Sequence, residues 1–207
     1  MAANRLLIAC LATALYVSLT ITARAQTSSV LSPLTQAYIK AYASHDTAAA
    51  EAILAKMSPY EKGGAAYIRH DYPLAIKLFT PLAEQGDVKA QGEIGSLYSF
   101  GMNGVKQDYV QAAKYFAMAA HQGDSYGEGE LGSLYAEGKG VPKDVVKAYM
   151  WRSLAAAQRA QILEKAGRRH PPRPVPETYG LNITDTQIAQ AKRLAATCLA
   201  THYKECD

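Results

Sequence analysis

AQGEIGSLYSFGMNGVKQDYVQAAKYFAMAA, residues 90–120, is followed by GEGELGSLYAEGKGVPKDVVKAYMWRSLAAA, residues 127–157. The second stretch restates the first. Tyr98 recurs as Tyr135 and Gly101 as Gly138, each 37 residues on. Asp108 recurs as Asp144 and Ala120 as Ala156, each 36 on. The lost residue falls in a loop, where Gly101-Met-Asn-Gly104 becomes Gly138-Lys-Gly140. A fixed period of this length marks a stacked repeat protein.

Each copy divides into two helical patterns around a glycine-rich turn. Leu131, Leu134 and Tyr135 recur at i, i+3, i+4 and line one helix face. Gly138-Lys-Gly140 stops that helix, because glycine accepts positive φ. Asp144 is placed to cap the next helix, which carries Val145, Ala148, Met150, Trp151 and Leu154. The first copy runs in parallel: Ile94, Leu97 and Tyr98, then Asp108, then Val110, Ala113, Phe116 and Ala117. Asp108 followed by Gln111 three residues later reads as a capping box. Gly95 and Gly132 fall inside helices at a cost of ~1 kcal/mol against alanine. Their recurrence at one repeat position points to close helix crossings. A single such hairpin cannot bury its apolar face, whereas stacked neighbours can.

These residues resemble the Sel1-like repeat family, a relative of the tetratricopeptide repeats. Ala90, Ile94, Gly95, Tyr98, Gly101, Gly104, Val105, Asp108, Ala112, Phe116, Ala119 and Ala120 carry the likeness in the first copy, with Phe116 in the place of a tryptophan. Leu131, Gly132, Tyr135, Gly138, Gly140, Val141, Asp144, Ala148, Trp151, Ala155 and Ala156 carry it in the second, and Gly127 departs at the opening alanine. The expected fold is all-α, an α/α superhelical solenoid of antiparallel helix pairs. The resemblance implies a protein that binds and regulates other proteins.

Outward from the repeats, residues 60–86 form a shorter unit without the long loop. Its two helices meet at Arg69-His70-Asp71, and Asp71 is placed to cap the second. Residues 33–57 read as two further helices, with Leu34, Tyr38, Ile39 and Tyr42 in one stripe and Asp46 as the second cap. The segment 26–58 is expected to cap the N-terminal end of repeats spanning 59–168. Residues 169–183 include Pro171, Pro172, Pro174 and Pro176, which exclude a helix and predict an extended connector. Thr184-Asp185 starts a last helix, within a C-terminal cap over 184–207, with Ile188, Ala191, Leu194, Ala195 and Cys198 on one side.

Arg5 precedes an apolar run from Leu6 to Thr22, and Ala23-Arg24-Ala25 supplies a small-residue cleavage site. Residues 1–25 are therefore expected to be a signal peptide cut between Ala25 and Gln26, which predicts a periplasmic or secreted protein. The other reading is an uncleaved anchor, since the run approaches the shortest membrane span. Taking Arg5 and Arg24 from the 22 basic side chains leaves 20 against 18 acidic ones. A net of +2 gives no footing for nucleic acid or anionic membrane, so no nucleic acid and, after cleavage, no membrane are expected as partners.

Cys198 and Cys206 are the cysteines outside the leader, and an even pair in an exported chain suggests a disulfide. A helix running straight to Cys206 would hold their Cα atoms ~12 Å apart, and a disulfide needs less than ~7 Å. The helix must then break between Ala200 and His202 and let the tail fold back. Two free thiols, or a bond between molecules, are the alternatives.

No chemistry is legible. The five histidines make no H-x-x-x-H pair, and there is no P-loop, nucleophile elbow or dinucleotide glycine fingerprint. No catalytic residue, metal site or cofactor is assigned. Glu128 and Glu130 read as a solvated face. The leading reading is a non-enzymatic interaction scaffold holding a protein or peptide on its concave face. Glu93, Ser96, Glu130 and Ser133, on the first helix of each pair, are its candidate contacts. A cell-envelope hydrolase on the same scaffold is the alternative, and a self-associating spacer a third.

Overall fold

The protein is described by a computed structural model over residues 32–167 and 178–206. The expected leader, its cleavage point at Ala25 and Gln26, and residues 169–177 of the expected connector lie outside the described residues. Helix accounts for 72% of those described, and no strand occurs among them. The helices are α1 Pro33–Ala43, α2 Thr47–Lys56, α3 Pro59–Ile68, α4 Tyr72–Glu84, α5 Val88–Phe100, α6 Tyr109–Ala120, α7 Ser125–Glu137, α8 Val145–Lys165 and α9 Asp185–Ala200.

The chain divides into two compact units, 1–61 and 62–207. In the first, Ser32 caps α1 and Asp46 caps α2, each accepting a backbone N–H three residues on. Ser58 and Glu61 exchange side-chain and backbone bonds at the start of α3. The Ser32 hydroxyl also bonds Glu61 and, as the largest influence, holds its carboxyl below the usual range. The expected stripe is narrower than its sequence pattern. Tyr38 is buried, whereas Tyr42 is 43% exposed and stacks on Tyr38; Ala41 takes the inner position.

The second unit stacks in chain order: α4 on α5, α5 on α6, α6 on α7, α7 on α8, and α8 on α9. One junction is built repeatedly. Asp87 and Asp124 each send their backbone N–H back to the preceding helix, to Leu82 and Ala119, at 2.9 and 3.1 Å. Their carboxylates then accept from Ala90 and Gly127 at the start of the next helix. Within the pairs, Asp108 donates its N–H to the carbonyl of Tyr98 and Asp144 to that of Tyr135, at 2.9 and 3.0 Å. Asp108 caps Val110 and Gln111; Asp144 caps Val146 and Lys147. Tyr98 and Tyr135 therefore occupy like environments. The full reciprocal capping box lies elsewhere, between Thr184 and Gln187 at the head of α9.

The in-helix glycines stand at crossings. A Cβ on Gly95 would sit 2.7 Å from the Phe116 ring, and one on Gly132 would sit 2.9 Å from Cγ of Arg152. This corrects one alignment made on sequence. Phe116 corresponds to Arg152, 36 residues on, and Tyr115 rather than Phe116 stands where the next repeat has Trp151. The core runs through both pairs to the C-terminus and includes Phe116, Leu131, Trp151, Leu154, Ala191 and Cys198.

α9 ends at Ala200. His202 and Tyr203 adopt positive φ, 52° and 64°, and turn the chain back. Cys198 and Cys206 then form a disulfide with Cα atoms 4.5 Å apart. The break falls where the spacing of the two cysteines required it.

Candidate functional site

The four candidate contacts take two different positions. Ser96 is 5% exposed; its hydroxyl bonds the Gly92 carbonyl and lies 2.9 Å from that of Tyr126 in the next pair. It belongs to the packing between repeats and presents nothing to a partner. Ser133 is half-buried, donates to the Gly129 carbonyl and accepts from Arg152. Glu93 and Glu130 are also half-buried. The lesson is geometric: position 96 faces a further repeat, whereas position 133 faces the end of the stack.

An open cleft of about 740 Å³ lies instead on the loop side of the second unit. The loop Gly104–Asp108 forms one wall, with Tyr98, Tyr109 and Val110 beside it and Pro73 and Ile76 of α4 opposite. The long loops shape it because each rests on the preceding repeat. Gly104 packs on Pro73 at the start of α4, and Gly140 packs on the backbone of Tyr109 at the start of α6. Gly140 has φ +71° and no room for a Cβ, so backbone meets backbone there. Val110 is 62% exposed at the rim. Burial, then Tyr115 and Asp108, raise the Tyr98 hydroxyl above the usual phenol value, so it stays a neutral donor. Exposed Val110, the Tyr98 and Tyr109 rings, Lys106 and Asp108 give the cleft a mixed apolar and polar lining. None of the four contacts proposed from sequence lines this cleft, although Tyr98 shares α5 with Glu93 and Ser96.

A second cluster departs from the expectation drawn from charge. Glu128, expected on a solvated face, is fully buried. Its Oε1 accepts from Nε2 of Gln158 at 3.3 Å, and Oε2 has no hydrogen-bond partner. Burial pushes its carboxyl up to about 7; the Tyr203 hydroxyl and Arg159 pull it down, and Asp124 adds to the rise. The Tyr203 phenol, buried against the same carboxyl, is pushed up to about 12. The signal that finds this site is the repeat register. Glu128 stands 37 residues after Gln91, which is also buried. Gln91 accepts from Gln122 at 2.8 Å and donates its amide N–H to the carbonyl of Ala83 at 2.9 Å. Gln122 in turn corresponds to Gln158. An acid thus occupies an amide's seat, and only its protonated form can donate as the amide does. Among the described residues no group of three His, Cys, Asp or Glu side chains is placed to hold a metal ion.

Comparison with known proteins agrees with this register. No curated protein matches the chain. Among solved structures, a protective antigen present in uropathogenic Escherichia coli strains and displaying an SLR fold is similar at 26% identity and TM-score 0.59, over 77% of this chain and 34% of that one. A Sel1 repeat protein from Oxalobacter formigenes is similar at 28% identity and TM-score 0.48, over 67% of this chain and 55% of that one. The chain therefore spans about a third of the first and about half of the second. The Sel1 repeat matches three times, over residues 48–87, 88–124 and 125–159. The first match takes in residues 48–58, which the sequence reading gave to the N-terminal cap. Three consecutive repeats cover more than half of the sequence, and the chain belongs to the Sel1 repeat family.

Proposed function

We propose that the protein is a non-enzymatic interaction scaffold, exported to the periplasm or secreted, that holds a peptide segment of a protein partner. The observation that carries this reading is the open cleft at the repeat loops, with exposed Val110 at its rim and Tyr98 and Tyr109 in its wall. Membership of a repeat family that commonly binds proteins supports it. Export rests on the leader pattern of residues 1–25 with Ala25 and Gln26 at the cut, and the likeness to a protective antigen is in keeping with it. No helix among the described residues is long and apolar enough to cross a membrane. The hydrolase alternative needs a perturbed acid or base that substrate can reach. Glu128 is the carboxyl that burial raises toward neutrality, and it is shut away from solvent.

The test is site-specific photo-crosslinking in envelope extract, with the crosslinker at Val110 in one sample and at Glu93 or Glu130 in others. The cleft reading expects a discrete adduct from Val110 that Tyr109→Ala abolishes. Adducts only from Glu93 and Glu130 would move the partner to the first-helix face, where the sequence reading placed it. Hydrolysis of an envelope substrate by the purified protein, lost in Glu128→Gln, would replace the scaffold reading altogether.

A further inference from the structure

We propose that the disulfide-closed loop 201–206 is a pH-responsive latch on the last repeat, seated by Tyr203 over Glu128 and loosened when that carboxyl ionises. Cys198 and Cys206 close a loop eight residues apart, and both are almost wholly buried. Inside it, His202 and Tyr203 hold left-handed backbone, a conformation that non-glycine residues keep only when their surroundings impose it. Part of that hold is internal, with the Tyr203 N–H donating to the Cys198 carbonyl at 2.8 Å, and the rest comes from the repeat. The Tyr203 hydroxyl accepts from Nε2 of Gln158 on α8 at 2.6 Å and faces the Glu128 carboxyl on α7. The Tyr203 carbonyl lies 3.2 Å from Nδ1 of His121 at the end of α6. Its ring covers Gly123, where an added Cβ would come within 3.0 Å of Cε2. One tyrosine thus ties the tail to three successive elements of the stack.

The carboxyl beneath it is set up to be neutral. Gln158 bonds Oε1 and the Tyr203 hydroxyl lies against the same carboxyl, while buried Oε2 has no hydrogen-bond partner to hold a charge. Charged groups around it come from every packed element. Asp124, at the N-cap of α7, opposes ionisation, and Arg159 of α8 favours it weakly because its guanidinium is drawn off to the Ser125 carbonyl at 3.1 Å. His121 reaches the cluster through the Tyr203 carbonyl. The start of α7 favours an anion there, and burial outweighs it. In the preceding repeat the equivalent Gln91 carries no ionisable group, so the device exists only where the tail docks. The sign follows. Closure holds Glu128 protonated and opening releases it to water at its ordinary value, so rising pH favours the open loop. With the carboxyl at about 7 closed against 4.5 open, the opening equilibrium rises up to about tenfold from pH 6 to pH 8.

The buried sulfurs report opening. The full chain, oxidised, is treated with a water-soluble phosphine at pH 6 and pH 8, and the rate of reduction of Cys198–Cys206 is measured by thiol alkylation and mass. The wild type is expected to be reduced severalfold faster at pH 8, relative to Glu128→Gln, in which the phosphine's own pH dependence remains and the carboxyl's does not. Tyr203→Phe, which keeps the ring and loses the hydroxyl, is expected to be reduced faster at pH 6 and to keep a rise with pH at least as large as wild type, because the lost hydroxyl had pulled the carboxyl down. Circular dichroism establishes that both variants keep their helix content. A Glu128→Gln protein with the same pH ratio as wild type overturns the proposal, and so does a Tyr203→Phe protein reduced at wild-type rates at both pH values.

Discussion

The second and third Sel1 repeats, 88–124 and 125–159, share nearly every backbone bond and differ in what covers their outer flank. In the second, that flank meets another repeat: Phe116 packs edge-on against Tyr126, and Ser96 lies against the Tyr126 hydroxyl. In the third, the same positions meet the C-terminal tail. Arg152, in the register of Phe116, donates to the Tyr179 carbonyl at 3.0 Å and to Ser133. Trp151 packs against His121, which in turn bonds the carbonyl of Tyr203. Gln158 reaches both Glu128 and Tyr203, where its counterpart Gln122 reaches Gln91. The opening residue differs for the same kind of reason. A Cβ on Gly127 would lie 2.7 Å from that of Ala119, whereas Ala90 is accommodated. The backbone of a repeat is set by its own glycines and aspartates; its side-chain face is set by its neighbour.

The largest expected effect tests that division at one register position. Trp151 is fully buried, whereas Tyr115 is 8% exposed and stacks on Tyr98. Trp151→Ala should cost about 3–5 kcal/mol in urea unfolding, because the cavity opens between the last repeat and the tail. Tyr115→Ala should cost less, since its hydroxyl edge stays near water. Equal costs would mean that the last repeat leans on its tail no more than an inner repeat leans on the next.

The second effect concerns Gln91 and Glu128. Burial of Glu128 makes the folded protein bind a proton that the unfolded chain releases above pH 4.5. Stability should therefore fall as pH rises from about 4.5 to about 7 and level off beyond, by on the order of 2–3 kcal/mol. Glu128→Gln should flatten that slope and leave the protein more stable than wild type at pH 8. Gln91→Glu should install a second slope of the same sign, since the acid would lose the donor that Gln91 gives to Ala83 once ionised. Urea midpoints at pH 5 and pH 8 read both. A wild type more stable at pH 8 than at pH 5 would count against a neutral Glu128.

Fold and register were legible because they rest on residues that act alone. Glycine at a turn, aspartate at a cap and a two-cysteine spacing each imply a local geometry whatever surrounds them. The break after Ala200 followed from reach alone. The face of each helix was not legible in the same way. Glu128 carries a charge and sits beside Glu130, so polarity alone placed it outside; only its alignment with Gln91, and the knowledge that Gln91 is buried, places it inside. Ser96 and Ser133 were paired by register and parted by their neighbours. Tyr42 satisfied a stripe that Ala41 completes with less bulk. The loop cleft escaped because residues as far apart as Pro73 and Val110 make it, and no local period joins them.

The smallest expected effect is a symmetry. Asp108 and Asp144 each accept two backbone N–H groups at 2.9–3.0 Å and each return their own N–H to a tyrosine carbonyl. Losing the carboxylate strands the first turn of α6 or α8 without its cap, at about 1 kcal/mol. The backbone bond to Tyr98 or Tyr135 survives the substitution, so the loop should keep its path. Asp108→Ala and Asp144→Ala should then cost the same within about 0.5 kcal/mol, and together they should add, because the two caps share no partner. Matched losses would confine the difference between the repeats to the flank that Phe116 and Arg152 occupy. A markedly larger loss at Asp144 would mean that the loop of the last repeat is held by its cap alone, where that of the inner repeat is also held from the side by the loop that follows, through Gly140 seated on Tyr109.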